Sequence, residues 1–334
     1  MEPGPGALEK GQPLSQNHAV DRIREIGALG FGTAPIGNLY RAVPDNEALD
    51  AVETAWEHGI RHYDTAPHYG LGLAERRLGE VLSGKPRGDY VLSSKVGRLL
   101  RPNPSAQGRD PGEFDVPDDL TRIYDYSRDG VLRSIEESLV RLNTDRLDVV
   151  YIHDPDDHWD EAISGAVPAL SELRDAGVIG AYGAGMNQSA MLERFVREAD
   201  VDVVMLAGRF TLLEQSGARS LITACRERGV GIVNVGVFNS GILSTDRPGP
   251  DAAYNYSSAP PAVVKRAQAL ADLAEQHGIS LPAAAVAFPY REPAVAAVVL
   301  GMRTAGQVEQ DVLLRDTVIP EAFWQDAAEL DDMS

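Results

Sequence analysis

The feature that most constrains this chain is an alternation repeated about eight times, in which a short apolar run is followed by a segment of helical periodicity. The apolar runs are "IGALGFGT", "IRHYDTA", "YVLSSKV", "LDVVYIHD", "VIGAYGAG", "VDVVMLA", "GIVNVGVF" and "AVAAVVLG". Between them lie helical stretches such as "DNEALDAVETAWEHG", "LAERRLGEVLSG", "RDGVLRSIEESLVRLN", "AVPALSELRDAG", "SAMLERFVREA", "GARSLITACRERG" and "VVKRAQALADLAEQHG", several closed by a Gly suited to a left-handed C-cap. Parallel strands that each feed a helix form either a closed (β/α)8 barrel or a doubly wound open sheet. The open sheet calls for a GxGxxG turn leading straight into a helix. "GALGFGTAPIGN" has similar spacing at Gly27, Gly30 and Gly32, but no amphipathic helix follows and Pro35 and Gly37 interrupt it. The pattern therefore predicts an α/β fold of the (β/α)8 TIM-barrel type with long loops at its C-terminal face.

A chain of 334 residues with 43% hydrophobic content can fill such a barrel as one domain. The opening "MEPGPGALEKGQPLSQNH" has neither an apolar segment nor a cleavage pattern, so residues 1–20 are expected to form a disordered arm and residues 21–334 a single barrel domain. A formal net charge of −19 repels nucleic acid and anionic membranes, and no Lys/Arg cluster offsets it. No apolar run approaches the roughly 20 residues of a membrane span. The lone Cys225, set among helix formers in "LITACRERG", reads as a buried thiol rather than a nucleophile. These features imply a soluble, cytoplasmic protein whose partner is a small molecule. They carry no information on oligomeric state.

Active sites of barrels form at the C-terminal ends of the strands. Reading along those ends gives Asp64 after the second run with Tyr69 in the loop beyond it, Lys95 closing the third, and His153 closing the fourth. Each has an ordinary structural explanation alone: a loop cap, a rim aromatic, a solvated strand end, a core histidine. Their joint occurrence at three successive strand ends points to one pocket. A phenol with a pKa of about 10 transfers protons poorly at neutral pH unless its ionised form is stabilised. A nearby ammonium does that, a carboxylate keeps the ammonium charged, and a histidine can hydrogen-bond the substrate oxygen. The set suits proton transfer at a carbonyl or hydroxyl oxygen. It lacks a metal cage, a nucleophile with its base, and the carboxylate pair of a glycosidase, so no metal is expected. Proton transfer at oxygen needs hydride transfer at carbon, which no side chain supplies, and a nicotinamide cofactor is implied.

The segments "YDTAPHYGLGLAERRLG", "SSKVG", "DVVYIHD", "GAGMNQ" and "VVLGMRTAGQVEQDV" resemble successive signatures of the aldo-keto reductases, from about Ile26 to Val312. That resemblance implies NAD or NADP bound in an extended form without a dinucleotide-binding glycine turn, and a tetrad of Asp64, Tyr69, Lys95 and His153. Tyr69 would be the acid in reduction and the base in oxidation, Lys95 would lower its pKa, and His153 would orient the substrate oxygen. The cofactor residues it implies are Gly32, Thr33 and Asp64, Asn187 on the carboxamide, Ala207, the backbone of Gly236, Phe238 and Ser240 along the pyrophosphate, and Arg303, Gln307 and Asp311 around the adenosine. The sequence departs from the family at Met186, where Ser is usual, at Ala207, where Gln is usual, and at Val235 or Gly236, where a Tyr commonly stacks on the nicotinamide. Relatives that use NADP often carry Arg at the position of Gln307 and Lys or Ser near Gly301 and Met302. The neutral residues here favour NAD, with Arg303 able to admit NADP.

"YDYSRDGVLRSIEESLVRLNTDRLDVVYIHDPDD", "LAGRFTLLEQ" and "GVFNSGIL" are similar to the bacterial sugar and pyridoxal dehydrogenases of this family. The similarity implies oxidation of an aldose of the L-fucose or D-threo type at its anomeric carbon, giving a lactone. The segment from Val96 to Asp129 would arch over the pocket, with Arg98, Tyr124, Tyr126, Trp159 and Arg209 as substrate candidates. The alternatives are an NADPH-dependent aldehyde and ketone reductase, a pyridoxal 4-dehydrogenase, and a nucleotide-sensing regulatory subunit.

Overall fold

The eight apolar runs become eight parallel strands of one closed barrel in the computed structural model, which describes residues 18–255 and 257–332. The strands are Leu29–Gly32, His62–Asp64, Val91–Val96, Leu147–His153, Ile179–Met186, Val203–Ala207, Gly231–Val235 and Val295–Gly301. They neighbour one another in chain order, and the first pairs with both the second and the last, Gly32 lying opposite Asp64 on one side and Gly301 on the other. Closure excludes the open-sheet alternative. It also explains why the runs are apolar without alternation, because barrel strands are covered on both faces. All six residues of Val91–Val96 are buried. Val91, Val149, Tyr151, Val203, Met205, Val233 and Val299 fill the interior, while a second apolar layer packs the outer strand faces against the helices.

Local signals set the helix ends. Ser127 accepts the Gly130 N–H at 3.1 Å to start Arg128–Leu142, and left-handed Asn143 ends it. Gly229, also left-handed, closes Arg219–Arg228. Cys225 is buried in that helix, and burial pushes its thiol up to about 12, consistent with a packing role. No helix among the described residues is long and apolar enough to cross a membrane.

The fold corrects one expectation. Residues 1–17 lie outside the described residues, but His18–Ile26 is a helix, so the end of the expected arm at residue 20 is wrong. Val20 and Ile23, one turn apart, enter the interior cluster and cover the N-terminal end of the barrel. Gly231, which begins the seventh strand, makes room: a Cβ there would lie 2.6 Å from Val20 Cγ1. The segment from Val96 to Asp129, expected to arch over the pocket, is partly regular. It holds an antiparallel hairpin, Arg98–Pro102 with Leu120–Tyr124, in register from Arg98 opposite Tyr124 to Pro102 opposite Leu120.

Candidate active site

The second and third strands end side by side, Asp64 opposite Ser93, and this register brings the Asp64 and Lys95 side chains together in the barrel mouth. Lys95 Nζ lies 2.6 Å from Asp64 Oδ2 and 2.8 Å from Oδ1, and donates to the Thr65 carbonyl at 3.0 Å. Ser93 Oγ donates to Asp64 Oδ1 at 2.7 Å. Both charged side chains are almost fully buried. Burial works against the Lys95 ammonium, but Asp64 and Tyr69 outweigh it and hold its pKa above the ordinary range.

Tyr69 is carried by the loop after the second strand, and a close backbone approach fixes that loop. Gly70 adopts φ 62°, and a Cβ there would lie 2.2 Å from the Gly37 carbonyl oxygen. The Lys95 Nζ lies 5.1 Å from the centre of the Tyr69 ring. Burial pushes the phenol up to about 12 even though Lys95 pulls it down. Lys95 lowers the phenol, as expected, but the desolvation of the largely buried ring exceeds the help of one ammonium already paired with Asp64.

His153 closes the fourth strand with its ring edge-on to Tyr69, centroids 5.8 Å apart. Burial, followed by the positive charges of Arg98 and Lys95, holds its pKa well below the ordinary range, so the imidazole is neutral. Its backbone carbonyl accepts the Tyr126 hydroxyl at 2.9 Å. The Tyr126 ring lies over Gly97, where a Cβ would sit 2.2 Å from the ring and where φ is 105°.

Tyr69, Lys95 and His153 face a cavity of about 460 Å³, and Asp64 stands behind Lys95. The arch forms its outer wall through Arg98, Glu113 and Phe114, and the fourth to seventh strand ends supply Asp154, Asp156, Met186, Asn187, Ala207 and Val235. Asn187 and Ala207 also border a smaller cavity of about 50 Å³ with Gly208, Arg209, Gly236, Asn239 and Ser240. Gly32 lies within the barrel sheet, and the Thr33 N–H donates to the Asp64 carbonyl while its buried hydroxyl has no hydrogen-bond partner among the described residues. Phe238 packs between two apolar clusters and borders neither cavity. Arg303, Gln307 and Asp311 all lie outside both cavities. The Arg303 N–H donates to Gln307 Oε1 and its Nη2 to the Leu39 carbonyl, both at 2.8 Å, while burial raises the Asp311 carboxyl to about 7.

Of the five substrate candidates, only Arg98 lines the main cavity, where its Nη2 holds Asp154 Oδ2 at 2.6 Å. Tyr126 is spent on the His153 carbonyl, Tyr124 stacks outside on His158, and Trp159 packs on Phe195. Arg209 borders the smaller cavity and donates to Asn255 at 2.7 Å. Sequence reasoning passed over His68, Phe114 and Asp154. His68 adjoins Tyr69 in "APHYG", a signal available in the sequence, whereas Phe114 reaches the cavity only through the folding of the arch.

The model of the aldo/keto reductase family matches residues 28–332. The chain belongs to the aldo/keto reductase family. This oxidoreductase is 47% identical to D-threo-aldose 1-dehydrogenase of Pseudomonas sp over 308 residues, 91% of this chain and 94% of the relative. It is 37% identical to pyridoxal 4-dehydrogenase of Microbacterium luteolum, over 90% of this chain and 92% of the relative. In fold, this aldo/keto reductase is similar to the holo form of the aldo-keto reductase AKR11C1 from Bacillus halodurans, with a TM-score of 0.72 at 24% identity, covering 91% and 92% of the two chains. It is likewise similar to the glycerol dehydrogenase AKR11B4 from Gluconobacter oxydans, with a TM-score of 0.73 at 22% identity and 91% of each chain covered.

In this aldo/keto reductase the buried ion pair also bears on stability. Lys95→Met leaves the Asp64 carboxylate buried without its counter-charge and is expected to lower the unfolding free energy by about 3–5 kcal/mol. The double change Lys95→Met with Asp64→Asn should recover much of that. Urea denaturation reads both, and an unchanged midpoint for Lys95→Met would show that the pair contributes nothing to folding.

Proposed function

We infer that this protein oxidises a cyclic hemiacetal, an aldose at its anomeric carbon, to the lactone with a nicotinamide cofactor. The observation that carries this reading is one cavity wall on which a phenol, an ammonium and a neutral imidazole converge beneath a polar arch. The 47% identity with a relative named for aldose oxidation supports it.

The residues fit a nicotinamide. The side-chain amide of Asn187 stands where the two cavities meet and has no hydrogen-bond partner among the described residues, a match for a carboxamide. The backbone beyond it turns through left-handed φ at Gly208, Gly236, Asn239 and Ser240, which keeps the smaller cavity open. A nicotinamide bound there would supply hydride chemistry at the anomeric carbon. Neutral His153 holds the anomeric oxygen, and the Tyr69 phenolate takes its proton as the C–H bond gives up hydride and the C=O bond forms. Lys95, fixed by Asp64, stabilises that phenolate. Asp154, Asp156 and Gln188 line the cavity as partners for ring hydroxyls, which an apolar aldehyde would leave unpaired at about 1–3 kcal/mol per buried group. NAD is the preferred cofactor in this reading, since Gln307, Gly301 and Met302 are neutral. Arg303, whose buried Nε has no hydrogen-bond partner among the described residues and which feels the charge of Arg41, can admit the 2′-phosphate of NADP.

A second reading, carbonyl reduction by the same residues, draws on Tyr69 itself, because a phenol pushed up to about 12 is protonated at neutral pH and ready to donate. A cytoplasmic setting accords with either direction.

Assay with NAD⁺ and L-fucose, D-arabinose and pyridoxal tests the first reading, the aldoses being expected to yield NADH. If none does while NADPH reduces simple aldehydes efficiently, reduction takes its place. Tyr69→Phe is expected to lower kcat by about 100-fold or more with nucleotide binding intact, and an unchanged kcat would remove Tyr69 from the mechanism. Because the raised pKa leaves little phenolate at neutral pH, oxidation should speed up as pH rises from about 6 to about 9 while reduction stays nearly flat. An acid optimum for oxidation would contradict a phenolate base. Arg303→Ala should weaken NADP selectively, and equal losses for NAD and NADP would place Arg303 away from the phosphate.

A further inference from the structure

His68 is the neighbour of Tyr69 in sequence and in the cavity wall, yet no step above uses it. Its ring stands edge-on to His153 at 5.6 Å and to Phe114 at 5.2 Å, measured between centroids. Arg122 of the arch holds it from outside, Nε donating to His68 Nδ1 and Nη2 to the His68 carbonyl at 3.2 Å. Arg122 is itself fixed by a bidentate pair with Asp110, at 2.7 and 2.8 Å, whose carboxylate is buried.

This arrangement determines which ring nitrogen carries the proton. A guanidinium has donors only and stays charged, so His68 Nδ1 must accept and the single ring proton sits on Nε2. Protonating Nδ1 would break that bond and bring a second cation beside Arg122, with Arg98 and Lys95 close by. Burial and these three charges push the imidazole pKa down to about 2. No hydrogen bond to Nε2 is made among the described residues. His68 is therefore a neutral donor with a locked tautomer, not an acid or a base.

We propose that His68 is a specificity-determining residue that donates its Nε2–H to a substrate oxygen on the carbon next to the reacting one, with Arg122 and Asp110 as the positioning pair that fixes its tautomer. This deepens the hemiacetal reading and rests on it for the substrate class. Two neutral imidazoles side by side, His153 and His68, address two oxygens on adjacent carbons. A substrate with a hydroxyl at the second carbon satisfies both donors, and its deoxy counterpart leaves one unpaired.

The test compares kcat/KM for a matched pair that differs only in that hydroxyl. In oxidation the pair is an aldose and its 2-deoxy form with NAD⁺, and in reduction it is glyceraldehyde and 3-hydroxypropanal with NADPH. His68→Phe should reduce the preference for the hydroxylated member about 10-fold or more, and His68→Gln, which keeps a donor of similar reach, should restore part of it. Arg122→Gln, with His68 in place but its Nδ1 released, should raise KM for the hydroxylated member more than it changes kcat. Nucleotide binding, followed by fluorescence, verifies that each variant is folded. A preference unchanged in His68→Phe or in Arg122→Gln would overturn the proposal. Wild-type protein that reduces aldehydes but oxidises no aldose would instead reject the hemiacetal reading, with the reduction pair still reporting on His68.

Discussion

A buried ion pair with no freedom to move is the constraint on which this molecule depends. Lys95 donates to both oxygens of Asp64 and to a backbone carbonyl, and Asp64 takes a further hydrogen bond from Ser93, so the ammonium has one position. Such a pair is costly to desolvate, and only near-ideal geometry and additional hydrogen bonds make it tolerable. The barrel provides both, because adjacent parallel strands hold their ends at fixed register. The phenol, the imidazole and the cavity wall are then arranged around a charge that cannot relax away from them.

The arch adds what the barrel cannot. The hairpin over residues 98–124 brings Arg98 to Asp154, Arg122 to His68 and Tyr126 to the carbonyl of His153. It therefore bonds to the chain beside both Tyr69, in the loop after the second strand, and His153, which closes the fourth. Gly97 permits the close passage of the Tyr126 ring at its root. Loop and strand end act as one unit, and the electrostatics at the histidines belong to both.

How much of this the sequence disclosed depends on the range of the forces involved. The eight strands were legible because burial on two faces leaves an unbroken apolar run, and each observed strand lies within about three residues of its run. Asp64, Tyr69, Lys95 and His153 were legible because strand ends in a barrel share one mouth. The hairpin was not, since Arg and Pro interrupt "RLLRP" and its partner lies some twenty residues away across a polar stretch. Residue type marks Tyr124, Tyr126 and Trp159 as substrate contacts, but an aromatic near a site also serves as packing: Tyr124 stacks on His158, Trp159 packs edge-on against the buried Phe195, and Tyr126 secures the backbone. The net direction of the Tyr69 shift was hidden too, because a sequence names the nearby ammonium but not the degree of burial that opposes it.

The helix His18–Ile26 separates two jobs. By filling the end of the barrel beneath Val91, Val149 and Val233, it leaves the far mouth as the route to Lys95 and Tyr69. A carrier, label or surface tether joined directly at residue 18 would thus hang from the closed pole of the molecule. Immobilised in that way, the protein would stand with its open pole toward the bulk solution, and the attachment would not compete with ligands for the same face.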